Sequence, residues 1–157
     1  MSYGFRPMTH EDLPMVRGWI ATSEVAPWWE GDDDLAEGLD SADTRQWIVS
    51  LDDGPFAYIQ DYDPHAWPGH HFAFLPAGSR GIDQSIGVPE LLGRGHGSAF
   101  IRAHVERLFA EGAPAVGTDP SPDNPRAIRA YEKAGFVRGE VRDTDWGRCL
   151  LMTCYPE

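Results

Sequence analysis

The 157-residue sequence predicts a mixed fold of the α/β (α+β) class. A strand-like segment at the start precedes an amphipathic helix. Two alternating runs, at residues 47–51 and 56–62, flank an Asp-Asp-Gly-Pro turn and indicate an antiparallel hairpin. Further along, residues 81–88 and 115–118 read as strands on either side of a long helix, which requires a right-handed crossover between parallel strands. The sequence therefore predicts a sheet with both antiparallel and parallel pairs.

The acidic composition of the chain limits the kinds of molecule that it is expected to bind. The chain carries 25 acidic and 13 basic residues, for a net charge of −12, which argues against nucleic acid and anionic membranes. A cationic small molecule suits this charge, although solubility alone explains it equally well. No apolar run approaches the length of a membrane span, and the first seven residues lack the pattern of a signal peptide. We therefore expect one cytoplasmic domain over residues 1–157, either a monomer or a homodimer.

The first helix is predicted from its cap and its apolar spacing. Thr9 is followed by a carboxylate three residues later, at Asp12. Apolar residues then recur at helical spacing, at Leu13, Val16, Trp19 and Ile20. The acids at residues 32–34 suit the start of a short second helix. Because adjacent side chains point in different directions, one of Trp28 and Trp29 is expected to enter the core.

A glycine-rich turn leads into the longest predicted helix. It reads Leu92-Gly93-Arg94-Gly95-His96-Gly97-Ser98, and apolar residues follow at helical spacing. The first turn of a helix has unpaired N–H groups and partial positive charge, and glycine lets a phosphate approach the backbone. The turn has neither the lysine of a P-loop nor the third glycine of a dinucleotide-binding turn. It predicts a pyrophosphate cradle or a plain helix cap.

The C-terminal third of the chain predicts a helix and two strands. Pro125 suits the first position of a helix over 125–134, and Gly135 suits the position just past its end. Strands are expected near residues 136–141 and 148–155. Because Cys149 and Cys154 are an odd number of residues apart, a strand would place them on opposite faces. A disulfide between them is not expected.

Two of these segments together resemble the GNAT superfamily of N-acetyltransferases. The glycine turn of that family has the form Gln/Arg-x-x-Gly-x-Gly/Ala, and Gly95 and Gly97 match its glycines, whereas Leu92 departs from Gln or Arg. The family's second segment places Asn, Ala and Tyr before Gly-Phe. This pattern is matched by Asn124, Ala127, Tyr131, Gly135 and Phe136.

The resemblance extends over nearly the whole chain to the aminoglycoside 6'-N-acetyltransferases of the Ib type. It is carried by Trp28-Trp29, by Gln60 with Tyr62, and by the run Gly81-Ile82-Asp83-Gln84-Ser85. It implies a GNAT fold with a mixed, mostly antiparallel central sheet of six to seven strands, about four helices, and a cofactor site at the splayed central parallel strands. It also implies direct transfer of an acetyl group from acetyl-CoA to a cationic amine in a ternary complex.

Several residues are expected to bind the two substrates. The amides of Arg94, Gly95, His96, Gly97 and Ser98 are expected to hold the acetyl-CoA pyrophosphate. Asn124 either contacts the amide arm of acetyl-CoA or caps the following helix. The resemblance also implies that the region between the first helix and the second strand borders the acceptor site. The acids at residues 32–34 therefore have a second possible role there, and we favour Trp29 as the tryptophan that faces substrate. Residues expected to contact the acceptor are Trp29, Gln60, Tyr62, Asp83 and Asp119. Asp119 is alternatively a turn former before Pro120.

Two residues are expected to act in catalysis. Asp83 lies in a predicted strand, where aspartate is uncommon and costly if buried unpaired, so it is a candidate base or amine anchor. Tyr131 falls on the position of the general acid in this family. A phenol is protonated at neutral pH and can donate its proton to the departing thiolate. The structural alternative for Tyr131 is an aromatic side chain packed under the loop.

The segment over residues 63–79 departs most from the aminoglycoside enzymes. It is rich in Pro, Gly and His and predicts a loop, or a short strand between loops. His70 and His71 do not predict a metal site, because adjacent side chains diverge in a strand and no partner has ligand spacing. No metal cofactor is expected. The alternative functions are an acyltransferase for a siderophore or polyamine-type precursor, and an acyl-CoA binding module without turnover.

Overall fold

The computed structural model describes residues 3–29, 33–52 and 54–157, with residues 33 and 34 described by their backbone alone. Within these ranges the chain forms four α-helices and seven strands. The helices are α1 (Leu13–Ile20), α2 (Asp33–Leu39), α3 (His96–Ala110) and α4 (Pro125–Lys133). The strands are β1 (Gly4–Pro7), β2 (Thr44–Leu51), β3 (Gly54–Tyr62), β4 (Arg80–Ile86), β5 (Val116–Thr118), β6 (Val137–Thr144) and β7 (Gly147–Cys154).

The strands follow the order β1-β2-β3-β4-β5-β7-β6 in one sheet. β1 runs antiparallel to β2, and β7 runs antiparallel to both β5 and β6. β4 and β5 are parallel, with Arg80 opposite Val116 and Gly81 opposite Gly117. The predicted mixed, mostly antiparallel sheet with four helices is confirmed, including the strand, helix and parallel strand around α3.

The chain clusters into two compact units, which are described separately here. The first unit comprises Met1–Asp61 and Asp83–Arg94. The second unit comprises Tyr62–Ile82 and Gly95–Glu157. The expectation of a single domain over residues 1–157 stays a prediction.

In the first unit, α1 begins as its sequence predicts. The backbone N–H of Thr9 donates to Asp12 Oδ2 at 2.9 Å, which caps a 3-10 helix over His10–Asp12 that leads directly into α1. Arg6 donates two hydrogen bonds to the same carboxylate, at 2.7 and 2.8 Å, and these bonds hold the pKa of Asp12 down to about 2. The apolar face of α1 packs into a core formed by Met8, Leu13, Val16, Ile20, Val25, Leu35, Ile48 and Tyr58.

The two tryptophans are arranged differently from the prediction. Trp29 packs against the core of the first unit and meets the Tyr58 ring edge to face, with 5.7 Å between centroids. Trp28 is 44% exposed, so the expectation that it enters the core is wrong. The short helix α2 forms as predicted. Asp32 and the turn residue Asp53 lie outside the described residues, as do the side chains of Asp33 and Asp34.

The second unit contains α3, α4 and the β6–β7 hairpin. The buried face of α3 includes Phe100, Ile101, Val105 and Leu108 as predicted, together with His104, which the apolar pattern missed. Phe109 is only half-buried. A smaller core lies around Phe72 and Leu75, with Ala115, Cys149 and Leu151. Cys149 and Cys154 are both buried and are not joined by a disulfide. No helix within the described ranges is long and apolar enough to cross a membrane.

Candidate active site

The N-terminus of α3 has the geometry of an open anion cradle. Gly95 is the cap residue and adopts a left-handed conformation, with φ of +84°. Nothing beyond its chain neighbours lies within 4 Å of a Cβ built on it, so the space beside this cap residue is open. The first intrahelical backbone bond is donated by Ala99 to the Gly95 carbonyl, and Ser98 Oγ donates to the same oxygen at 3.2 Å. The turn therefore fits a phosphate group held by the helix dipole and peptide N–H groups.

Arg94, the last residue of the first unit, is exposed. His96, Gly97 and Ser98 are half-buried in the first turn of α3. Their role toward a cofactor stays a prediction.

In the second unit, α4 carries two of the predicted residues. Asn124 Oδ1 accepts a hydrogen bond from Ala127 N at 3.4 Å, so the predicted capping role is present. Contact of Asn124 with a cofactor stays a prediction. Tyr131 is 4% exposed and meets Phe136 edge to face, with 5.5 Å between ring centroids. This packing fixes the ring, and the catalytic role of its hydroxyl stays a prediction.

In the first unit, Asp83 is a half-buried residue of β4. Its Oδ2 accepts a hydrogen bond from Gln60 Nε2 at 2.8 Å. Two of the residues predicted to bind the acceptor are therefore in direct contact, although 23 positions separate them in the sequence. A carboxylate fixed in this way is suited to bind a cation.

Asp119 lies just after β5 in the second unit, and its partner is a residue that the sequence did not suggest. His71 Nε2 lies 2.7 Å from Asp119 Oδ2, and the two side chains are only 4% and 14% exposed. The segment over residues 63–79 forms a short 3-10 helix and turns, which confirms the predicted loop, and it contains no strand. The side chains of His70 and His71 therefore do not diverge as they would in a strand, and their imidazole rings stack with 4.0 Å between centroids.

Tyr62 belongs to an aromatic cluster around these histidines. It is 7% exposed, and its ring lies 5.7 Å from that of Trp67 and 5.6 Å from that of His70. Trp146 lies 5.2 Å from His70 on the hairpin between β6 and β7. Burial, and next the neighbouring imidazole of His71, hold the pKa of His70 down to about 4. A substrate role for Tyr62 stays a prediction.

Sequence reasoning missed the inner partners of the candidate acceptor residues. Tyr58 donates to Gln60 Oε1 at 2.6 Å, and Gln46 in turn donates to the Tyr58 hydroxyl at 2.9 Å. The one sequence signal for the Tyr58–Gln60 contact was the alternation of side chains along β3, which places these two residues on the same face. Within the described part of the chain, no group of three or more His, Cys, Asp or Glu side chains is placed to hold a metal ion.

Comparison with protein families gives a match over most of the chain. The family model described as "Acetyltransferase (GNAT) domain" matches residues 8–144. A curated relative, aminoglycoside N(6')-acetyltransferase type 1 of Klebsiella pneumoniae, is 35% identical over 164 residues, covering 96% of this chain and 82% of the relative.

Solved structures are similar over an even larger share of the chain. AAC(6')-Ib in complex with paromomycin and acetyl-CoA superposes with a TM-score of 0.88 at 34% identity, covering 99% of this chain and 94% of that one. AAC(6')-Ib in complex with coenzyme A and kanamycin gives a TM-score of 0.87 at 34% identity, covering 98% and 95%.

Proposed function

The chain belongs to the GNAT acetyltransferase domain family, and from this premise we propose that it moves the acetyl group of acetyl-CoA to the 6'-amine of an aminoglycoside. The observation that carries this proposal is the near-complete coverage of both chains in the comparison with the AAC(6')-Ib complexes. The open turn at Gly95 supports it, because the residues present fit a diphosphate.

The proposed reaction is a direct attack without a covalent enzyme intermediate. The acceptor ammonium is held at Asp83, loses a proton and attacks the thioester carbonyl. The new carbon–nitrogen bond forms and the carbon–sulfur bond breaks, so the electron pair leaves on sulfur. The nitrogen loses its second proton to water, and the hydroxyl of Tyr131 donates its proton to the thiolate. The phenolate is reprotonated from solvent as the amide product and CoA are released.

The substrate contacts follow from the same proposal. The amides of residues 94–98 and Asn124 bind acetyl-CoA. The acceptor is bound by Trp29, Gln60, Tyr62, Asp83 and Asp119. The acidic composition, with a net charge of −12, favours a cationic acceptor and disfavours nucleic acid or an anionic membrane surface. A cytoplasmic location and a monomeric or homodimeric state complete the proposal.

An acceptor screen tests the proposed function. The protein is incubated with acetyl-CoA and one amine at a time, including kanamycin, tobramycin, a polyamine and an alkyl hydroxylamine. Free thiol and the mass of each product are measured, and NMR then locates the acetyl group. We expect aminoglycosides acetylated at the 6'-amine. Faster acetylation of the polyamine or hydroxylamine would overturn the aminoglycoside assignment. Binding of CoA without thiol release in the presence of any amine would indicate a binding module.

A further inference from the structure

We propose that Tyr58 and Gln46 are positioning residues that orient Asp83 and make it an anchor for the acceptor ammonium instead of the base that deprotonates it. The inference rests on the proposed function and concerns the acceptor half of that site. It is carried by a hydrogen-bond chain within the first unit, which runs from the Leu35 carbonyl through Gln46, Tyr58 and Gln60 to Asp83.

Every link of the hydrogen-bond chain is short. Gln46 Nε2 donates to Leu35 O at 3.0 Å and to the Tyr58 hydroxyl at 2.9 Å. The Tyr58 hydroxyl donates to Gln60 Oε1 at 2.6 Å. Gln60 Nε2 then donates to Asp83 Oδ2 at 2.8 Å. Gln46 is 6% exposed and Tyr58 is fully buried, so water does not compete for the inner links.

The chemistry of the groups gives the hydrogen-bond chain one direction. A backbone carbonyl only accepts hydrogen bonds, so the Gln46 amide must turn its nitrogen toward Leu35 O. That nitrogen also faces the Tyr58 hydroxyl, which accepts from it and is left to donate to Gln60 Oε1. With its oxygen engaged by Tyr58, Gln60 must present its NH₂ group to Asp83. The Leu35 carbonyl on α2 thereby determines which atom of Gln60 meets the carboxylate.

The surroundings of Gln46 indicate that this orientation is built into the fold. A Cβ added at Gly38 in α2 would lie only 2.7 Å from Gln46 Nε2. Glycine is a poor helix former, but at this position it leaves room for the Gln46 amide. Gln46 Oε1 is buried without a hydrogen-bond partner among the described residues. A buried acceptor left unsatisfied costs stability. The contribution of Gln46 therefore lies in the two hydrogen bonds that its Nε2 donates.

The hydrogen bond that Gln60 donates bears on whether Asp83 acts as an anchor or as a base. An N–H donor supports the negatively charged carboxylate and restricts its rotation. A general base works best when its proton affinity is raised, and a donated hydrogen bond acts in the opposite sense. Asp83 is therefore suited to hold a cationic nitrogen in place. The proton of the ammonium then passes to solvent water before attack.

A double-mutant cycle tests the positioning role. Tyr58→Phe should lower kcat/KM for the acceptor by about tenfold, the size expected for one hydrogen bond, while KM for acetyl-CoA changes less than about twofold. Gln60→Met should lower kcat/KM at least as much. The double variant should be no worse than Gln60→Met, because Tyr58 acts through Gln60. Gln46→Met should change kcat/KM in the same direction as Tyr58→Phe.

Ile48→Val provides the matched control, since Ile48 is fully buried in the same core and its truncation destabilises that core without touching the hydrogen-bond chain. Acceptor kinetics of Tyr58→Phe equal to those of Ile48→Val would overturn the positioning role, and so would additive losses in the double variant. Failure of the proposed function is a separate outcome, in which the unmodified protein releases no thiol with any amine.

The kinetics of the Asp83→Asn variant distinguish an ammonium anchor from a general base. If Asp83 is an anchor, KM for the acceptor rises and most of kcat is recovered at saturating acceptor. If kcat at saturation falls by about a hundredfold or more, Asp83 is the base and the anchor assignment is wrong.

Discussion

The glycine at the start of α3 offers the sharpest test of the acetyl-CoA site. In Gly95→Ala a methyl group occupies the open space beside the cap residue of α3, at the turn where the pyrophosphate is proposed to bind. The substitution also strains the backbone, because φ at this position is +84°. An alanine in the left-handed region costs about 1–2 kcal/mol of folding free energy. A control with the same strain is therefore required.

Gly112 supplies this control at the other end of the same helix. Its φ is +105°, and nothing lies within 4 Å of a Cβ built on it. Gly112→Ala should lose as much folding free energy as Gly95→Ala and should leave the Kd for CoA unchanged. Gly95→Ala should weaken CoA binding by at least about tenfold, or about 1.4 kcal/mol.

Titration calorimetry gives both dissociation constants, and urea unfolding with and without CoA gives an independent value. At a CoA concentration of 100 times the original Kd, the ligand stabilises the unmodified protein by about 2.7 kcal/mol. A variant with tenfold weaker binding gains only about 1.4 kcal/mol. Equal CoA affinities for Gly95→Ala and Gly112→Ala would refute the assignment of the cradle to this turn.

Three further predictions concern single residues. Tyr131→Phe retains the contact with Phe136 but removes the hydroxyl, so turnover at saturating substrates should fall by about a hundredfold with the Kd for CoA unchanged, and unchanged turnover would remove Tyr131 from the mechanism. Because the pKa of His70 is about 4 in the fold and near 6.5 when unfolded, the unfolded chain binds more protons between these values. Urea unfolding should show stability falling as pH is lowered from 6.5 to 4, and His70→Asn should reduce this slope. Asp12→Asn should lower the free energy of unfolding by about 1 kcal/mol at pH 7. That difference should persist above pH 3.8 and vanish as pH falls through about 2, because the pKa of Asp12 is lowered by its bonds to Arg6.

Much of the fold could be predicted because local rules and the core agree. The cap at Thr9 and the apolar spacing after it locate α1, the glycine turn and the apolar spacing after it locate α3, and Pro125 and Gly135 locate the two ends of α4. In each case the residues that fix the element lie within a few positions of one another. Trp28 and Trp29 show what this local reasoning does not determine. Alternation indicates that Trp28 and Trp29 face different ways, but it does not indicate which of them meets the core.

The candidate site was less predictable because its contacts join distant parts of the chain. The sequence singled out Asp83 and Asp119 as unusual carboxylates, and both are engaged by hydrogen bonds in the structure. Their partners, Gln60 and His71, lie 23 and 48 positions away. His71 also belongs to the Pro-, Gly- and His-rich segment over residues 63–79, where no periodic pattern indicates a partner.

These partners matter because they determine what a carboxylate can do. Gln60 donates a neutral hydrogen bond that restricts the orientation of Asp83, whereas Arg6 brings a positive charge to Asp12. The sequence shows an aspartate in both places and does not show which donor each one meets. The donor of each hydrogen bond is therefore the physical observation that the structure adds to the sequence at these two acids.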